Sequence, residues 1–159
     1  MDGEFRKKLL DDFIRFLNEN PEEVTVYINS VGGAFHVYKA LEDAISQNES
    51  RITLVATGEI CSSAFLLFFS VKCNRRILDG TTGLHHLSGL ASVRVSAGNK
   101  IHDKYLKFVL DTLSPEKELE WCRNAGLNEE EISIIASGED VYFTEERLRE
   151  ILTFSSSRP

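Results

Sequence analysis

Four short stretches of this 159-residue chain combine residue types that can do chemistry together. Gly58-Glu59-Ile60-Cys61-Ser62-Ser63-Ala64-Phe65 places a hydroxyl where an apolar helix begins, with the Ser63 N–H beside it. A helix N-terminus carries partial positive charge and unpaired main-chain donors, which stabilise an anion next to them. That is the setting a nucleophilic serine requires. A serine there is equally a good N-cap, and Cys61 is either a nucleophile itself or a small buried apolar residue. Ile28-Asn29-Ser30-Val31-Gly32-Gly33 runs a strand into two glycines. They allow close backbone approach and can present a main-chain N–H to a developing oxyanion, or simply make a tight turn. Gly83-Leu84-His85-His86-Leu87 supplies two imidazoles. Strand side chains alternate between faces, so one His can serve as a base in a cleft while the other lies on the wet face. The same alternation disfavours a His–His metal pair. Glu139-Asp140-Val141-Tyr142-Phe143-Thr144 sets a carboxylate before an aromatic pair and a helix cap, as a site acid or as a solvated turn.

The elements that must position these residues follow from periodicity. Apolar residues at Phe5, Leu9, Phe13, Ile14 and Leu17 predict a helix from Glu4 to Asn18, broken by Asn20-Pro21. Val24 to Asn29 and Arg51 to Thr57 are β-branched runs that predict strands. Between them Ala34 to Ile45 has helical spacing, and Ser62 to Val71 is a helix apolar nearly all round, hence buried. Short strands are expected around Ile77 and from Leu84 to Leu87. Lys100 to Leu113 reads as a helix, and Ser114-Pro115 starts another that Gly126 closes. Asn128 and Glu131 have capping-box spacing for a short helix ending near Gly138. Thr144 caps a last helix, Glu145 to Leu152, and residues 155–159 read as a frayed tail. Strand–helix alternation predicts parallel strands with right-handed crossovers, an α/β domain.

Composition bounds the rest. The length suits one domain. With 18 Lys and Arg against 25 Asp and Glu, the net charge is −7, which argues against a phosphate-binding surface. Lys7-Lys8 and Arg75-Arg76 are too short to form a basic stripe, and no Walker-type phosphate loop is present. Three cysteines without C-x-x-C spacing point away from a disulfide framework or a zinc ribbon and towards a reducing compartment. The N-terminus lacks the pattern of a signal peptide, and the longest apolar run, Ala64 to Phe69, is far short of a bilayer span. A soluble, cytoplasmic protein with no nucleic-acid or membrane partner is expected.

In their order and spacing, these stretches resemble the ClpP-type serine peptidases of the ClpP/crotonase superfamily. INSVGGAF is similar to that family's strand–Gly-Gly motif, and GEICSSAFLL to its G-x-x-x-S nucleophile segment. GLHHLSG is similar to its catalytic-His strand, and Asp140 to Thr144 to its Asp-x-aromatic-apolar-Ser/Thr signature. NPEEVTVYINS matches the helix-to-strand junction, so the resemblance runs from roughly Glu4 to Leu152. It implies an α/β fold of the ClpP/crotonase type, a repeated β-β-α superhelix with a protruding C-terminal helical part. A single peptidase domain over residues 1–154 is expected, lacking the family's N-terminal strand and axial loop. Ser62 would be the nucleophile, His86 the general base and later acid, and Asp140 the group orienting the imidazole. The N–H groups of Gly33 and Ser63 would form the oxyanion hole. The resemblance further implies a peptide or unfolded-protein substrate lying extended against the strands, with no cofactor and no metal. It implies a ring-shaped homo-oligomer with Lys100 to Leu113 as ring-to-ring contact, and an AAA+ unfoldase as candidate partner.

The chain also departs from the family pattern. Val31 stands where the family usually has Pro, Glu59-Ile60-Cys61 replace small residues, and LSGLASVRVSAGNK replaces a more glycine-rich segment after His86. Alignment on AFLL rather than on Gly58 would put Cys61 at the nucleophile position. Two other readings stand beside the peptidase: an acyl-CoA enzyme of the crotonase branch, and a non-catalytic structural or regulatory ring subunit. Lys39 offers a Ser–Lys dyad, which His86 and Asp140 at matching positions disfavour. His36 and His102 read as surface or packing residues, and Trp121 as an apolar anchor.

Overall fold

The structure, a computed structural model, describes residues 1–87 and 114–156. The sequence dictates its centre. In β2 (Val24–Gly33), Val24, Val26, Ile28 and Ser30 are buried while Thr25, Tyr27, Asn29 and Val31 face outwards, the two-residue alternation of a sheet covered on one side. β3 (Ile52–Cys61) lies parallel to β2 and buries Ile52, Leu54, Ala56 and Ile60 on the same side. Over that face pack α2 (Phe35–Ser46), through Val37, Leu41 and Ile45, and α3 (Ser63–Ser70), whose residues from Ser63 to Phe69 are all buried.

Among the described residues six strands form the sheet, in the order β1-β2-β3-β5-β6 with β4 also on β3. β4 (Asn74–Ile77) and β5 (Thr82–His85) run parallel to successive parts of β3, and β6 (Val141–Phe143) closes the edge antiparallel to β5. The domain is thus mixed α/β with a mostly parallel sheet.

β2 runs four residues past Asn29, and β5 spans Thr82–His85 rather than Leu84 to Leu87, which leaves His86 just beyond the strand; three further boundaries also differ from the sequence reading. The first helix, α1 (Lys7–Glu19), starts three residues later than expected, because residues 2–5 form a strand, β1 (Asp2–Phe5), parallel to β2. Phe5, read as a helix position, is fully buried there, and its backbone sits so close to Gly33 that a Cβ on Gly33 would lie 2.7 Å from its N and O. Second, β3 runs past Thr57 to Cys61. Between the pairs Ile28↔Ala56 and Ser30↔Ile60 it spends two more residues than β2, a bulge turned at Gly58 (φ +65°). Third, the last helix, α6 (Glu145–Ser156), continues four residues beyond Leu152. The helix expected over Lys100 to Leu113 lies outside the described residues.

The other helix signals are met as read. In α4 (Pro115–Ala125) Ser114 Oγ accepts from Lys117 N at 3.2 Å, and Gly126 (φ +105°) closes the helix. α5 (Glu129–Ala136) begins with a complete capping box: Asn128 Oδ1 accepts from Glu131 N at 2.9 Å, and Glu131 Oε2 from Asn128 N at 2.7 Å. Thr144 Oγ1 accepts from Arg147 N at the head of α6.

Candidate active site

Ser62 sits where β3 turns into α3. Its N donates to Leu84 O of β5 at 2.8 Å, and its carbonyl accepts from Leu66 N at 3.0 Å, so one residue closes the ladder and opens the helix. The turn between these roles forces φ to +52° and ψ to −121°. Ser62 is the only non-glycine with positive φ among the described residues. Such a conformation costs about 1–3 kcal/mol and persists only when its surroundings hold it. The side chain does not cap the helix. Its Oγ lies instead 3.0 Å from His86 Nε2.

His86 follows β5 directly, and its Nδ1 is 3.3 Å from Asp140 Oδ1, one residue before β6. His86 and Asp140 are both half exposed. An imidazole whose Nδ1–H is directed at a carboxylate keeps its Nε2 lone pair for the serine hydroxyl. His85, expected on a wet face, is fully buried instead, because the opposite face of this strand is the core under α3.

Gly32 and Gly33 pass beside the start of α3. A Cβ on Gly32 would lie 2.6 Å from Cys61 O and 2.9 Å from Ser63 N and Oγ, which only a glycine allows. Gly32 N donates to Ser30 Oγ at 3.1 Å, and Ser63 Oγ donates to Gly33 O at 3.2 Å. Ala34 N donates to Phe5 O at 3.2 Å. The two residues expected to form an oxyanion hole, Gly33 and Ser63, are therefore joined by a direct hydrogen bond and flank the serine. Ser63 N belongs to the first turn of α3, where main-chain donors lack helical partners.

Cys61 precedes the elbow and is half-buried, and burial together with the Glu59 carboxylate pushes its thiol up. That is the reverse of the activation a nucleophilic thiol needs. Burial likewise raises Cys73, and drives Cys122 up to about 12. Lys39 lies on α2, ion-paired with Glu42 and placed over the Tyr38 ring. His36 is exposed, and Trp121 packs edge-on to Phe65; His102 falls outside the described residues. Among the described residues, no group of three His, Cys, Asp or Glu is arranged to hold a metal ion, and no helix is long and apolar enough to cross a membrane.

One contributor escaped the sequence reading. Asn29 Oδ1 accepts from Glu59 N at 3.1 Å and fills the space a Cβ on Gly58 would take, holding the bulge of β3 two residues before Cys61. Its only sequence signal is an Asn at an outward strand position, common to many turns.

A strained serine at a strand–helix elbow, facing a histidine and then a carboxylate on an α/β sheet, defines a class of hydrolase-like sites rather than one protein. The comparisons narrow it. The Clp protease family profile matches residues 3–113, well over half of the sequence, and the chain belongs to that family. Among solved structures, a ClpP1 point mutant from Listeria monocytogenes is similar, with a TM-score of 0.66 over 95% of this chain and 84% of that one, at 18% identity. That likeness shows the ClpP fold. A search of curated proteins found no match.

Proposed function

We propose that the chain is a serine endopeptidase, hydrolysing peptide bonds through an acyl-enzyme. The observation that carries this reading is the sequence of contacts from Ser62 Oγ to His86 Nε2, 3.0 Å, and from His86 Nδ1 to Asp140 Oδ1, 3.3 Å. Serine is a weak nucleophile until a neutral imidazole can accept its proton. In the forward step Ser62 Oγ bonds to the scissile carbonyl carbon while its proton passes to His86 Nε2. Asp140 orients the ring and stabilises the imidazolium. The carbonyl oxygen becomes an oxyanion, received by the N–H groups of Gly33 and Ser63; one such donor is worth about 10²–10³ in rate. Collapse breaks the C–N bond as His86 returns the proton to the amine, and water repeats the cycle to release the acid. Family membership supports a peptide or unfolded-protein substrate held in a homo-oligomeric ring and an AAA+ unfoldase as partner; the cytoplasmic setting we propose rests on the cysteine spacing of the sequence alone.

The test is active-site labelling. A fluorophosphonate probe is expected to modify Ser62, located by mass spectrometry, and to leave Ser62→Ala unmodified. A folded protein that takes no label would refute the reading. Saturable acyl-CoA binding would favour the crotonase branch instead. Sedimentation gives the assembly directly: a ring has a mass several times the 18.0 kDa of one chain.

A further inference from the structure

The three residues of the proposed relay adjoin three elements, α3, β5 and β6, and beneath them three rings join the same elements. His85 adjoins His86, Phe65 lies three residues after Ser62 on α3, and Phe143 lies three residues after Asp140 on β6. The Phe65 ring stacks on both of the others: centroids 5.2 Å apart and planes at 19° with His85, 4.9 Å and 19° with Phe143. All three residues are buried, His85 and Phe65 completely. His85 is held from its far side by α4, with Trp121 at 5.9 Å and the buried carboxylate of Glu118 3.3 Å from His85 Nε2. Neither nitrogen of the His85 ring has an aligned hydrogen bond among the described residues, so stacking and the Glu118 contact fix the ring.

We propose that His85 is a positioning residue for His86, acting through the ring bridge His85–Phe65–Phe143. The strand β5 is four residues long and ends at His85, so ladder hydrogen bonds do not extend over His86. What sets the direction of His86 is the anchoring of the residue before it. One peptide unit separates the two residues, so rotation of the His85 backbone would swing His86 away from Ser62. Tying His85 to Phe65 fixes that direction relative to the helix that carries Ser62, and Phe143 brings in the strand that follows Asp140.

This inference rests on the relay reading above, and the test separates their failures. Two variants keep an apolar side chain at the buried site: His85→Phe retains a ring, His85→Leu does not. Fluorophosphonate labelling of Ser62 is followed across pH, with thermal melting as the control for folding. The His86 ring nitrogen shifts are recorded by NMR at one pH. His85→Leu is expected to label at least about tenfold more slowly, since displacements of the order of 1 Å can cost about 10²-fold. Its His86 ring nitrogen shifts are expected to depart from those of wild type as the Asp140 contact changes. His85→Phe is expected to stay within about threefold of wild type, with unmoved His86 ring nitrogen shifts. Wild-type labelling and wild-type His86 ring shifts in His85→Leu, or equal losses in both variants, would overturn the proposal. If His85→Leu does not fold, Phe143→Leu takes its place with the same expectations. A wild-type protein that does not label refutes the peptidase reading, and the His86 ring shifts then decide this one alone.

Discussion

Ser62 holds an uncommon backbone angle, and Gly32 gives up a side chain so that the main chain can pass over Ser63 N. Both features lower stability locally, and both serve one small volume beside the serine hydroxyl. Gly32→Ala would put a methyl group 2.9 Å from Ser63 N and force an alanine to φ +90°, so backbone must shift. Labelling of Ser62 is expected to fall by about 10²–10³, the worth of an oxyanion donor, with a lower melting temperature. The neighbouring thiol gives a second expectation at this scale. Because burial raises the Cys61 thiol, less thiolate exists at a given pH than for a free cysteine. Timed iodoacetamide alkylation of the native protein at mildly alkaline pH should therefore be slow at Cys61 and slower still at Cys122, whose thiol is pushed up to about 12. Fast alkylation of Cys61 that blocks hydrolysis in Ser62→Ala would point to the thiol as nucleophile.

Elements with a full period were legible in the sequence. The run from Val24 to Asn29, the buried helix from Ser62 and the caps at Ser114, Asn128 and Thr144 announce themselves by spacing and residue type. What the sequence concealed depends on partners far along the chain. β1 is four residues with a glycine inside, and it is a strand because β2 offers an edge and Gly33 admits Phe5. The extension of β3 depends on Asn29 holding Glu59, and His85 faces the core because α3 covers that side of the sheet. Among the site residues, Ser62, His86 and Asp140 were legible through family pattern, whereas the ring bridge behind them needs tertiary packing to exist at all. Arg51 illustrates the same limit. Its guanidinium donates to Leu17 O at 2.9 Å, Asn20 O at 2.6 Å and Glu22 O at 3.0 Å, satisfying the C-terminus of α1 and the turn into β2. Arg51→Met is expected to lower unfolding free energy by roughly 1.5–3 kcal/mol, the range for hydrogen bonds from a charged group. Denaturant melts would read the loss, while labelling of Ser62, remote from this corner, should keep its wild-type rate.

Across the whole molecule, the family profile ends at residue 113, so it contains Ser62 and His86 but not Asp140. The carboxylate arrives one residue before β6, between α5 and α6, and its placement depends on how the C-terminal helices dock onto the sheet. Two polar junctions make that dock. Arg147 of α6 donates to Glu131 at 2.7 and 2.8 Å, to Gly126 O at 3.0 Å and to Glu150 at 2.9 Å, joining all three C-terminal helices. Arg147→Met should therefore weaken labelling as well as stability, unlike Arg51→Met, because it loosens the helices on either side of Asp140. The second junction ties α6 to the turn that leads into β5: Glu145 accepts from Gly80 N at 2.6 Å and from Arg149, which also reaches Asp79 at 3.0 Å. The Gly80 N–H, then Arg149, holds the Glu145 carboxyl below its ordinary 4.5. A carboxyl depressed in the folded state contributes stability that is complete above its unfolded value and is lost as pH falls through the folded one. Glu145→Gln, which cannot ionise, should melt below wild type at neutral pH. The two melting curves should then converge as pH is lowered towards about 2, where both side chains are neutral. A gap that stays constant with pH would mean that the shape of the Glu145 side chain, rather than its charge, closes this junction.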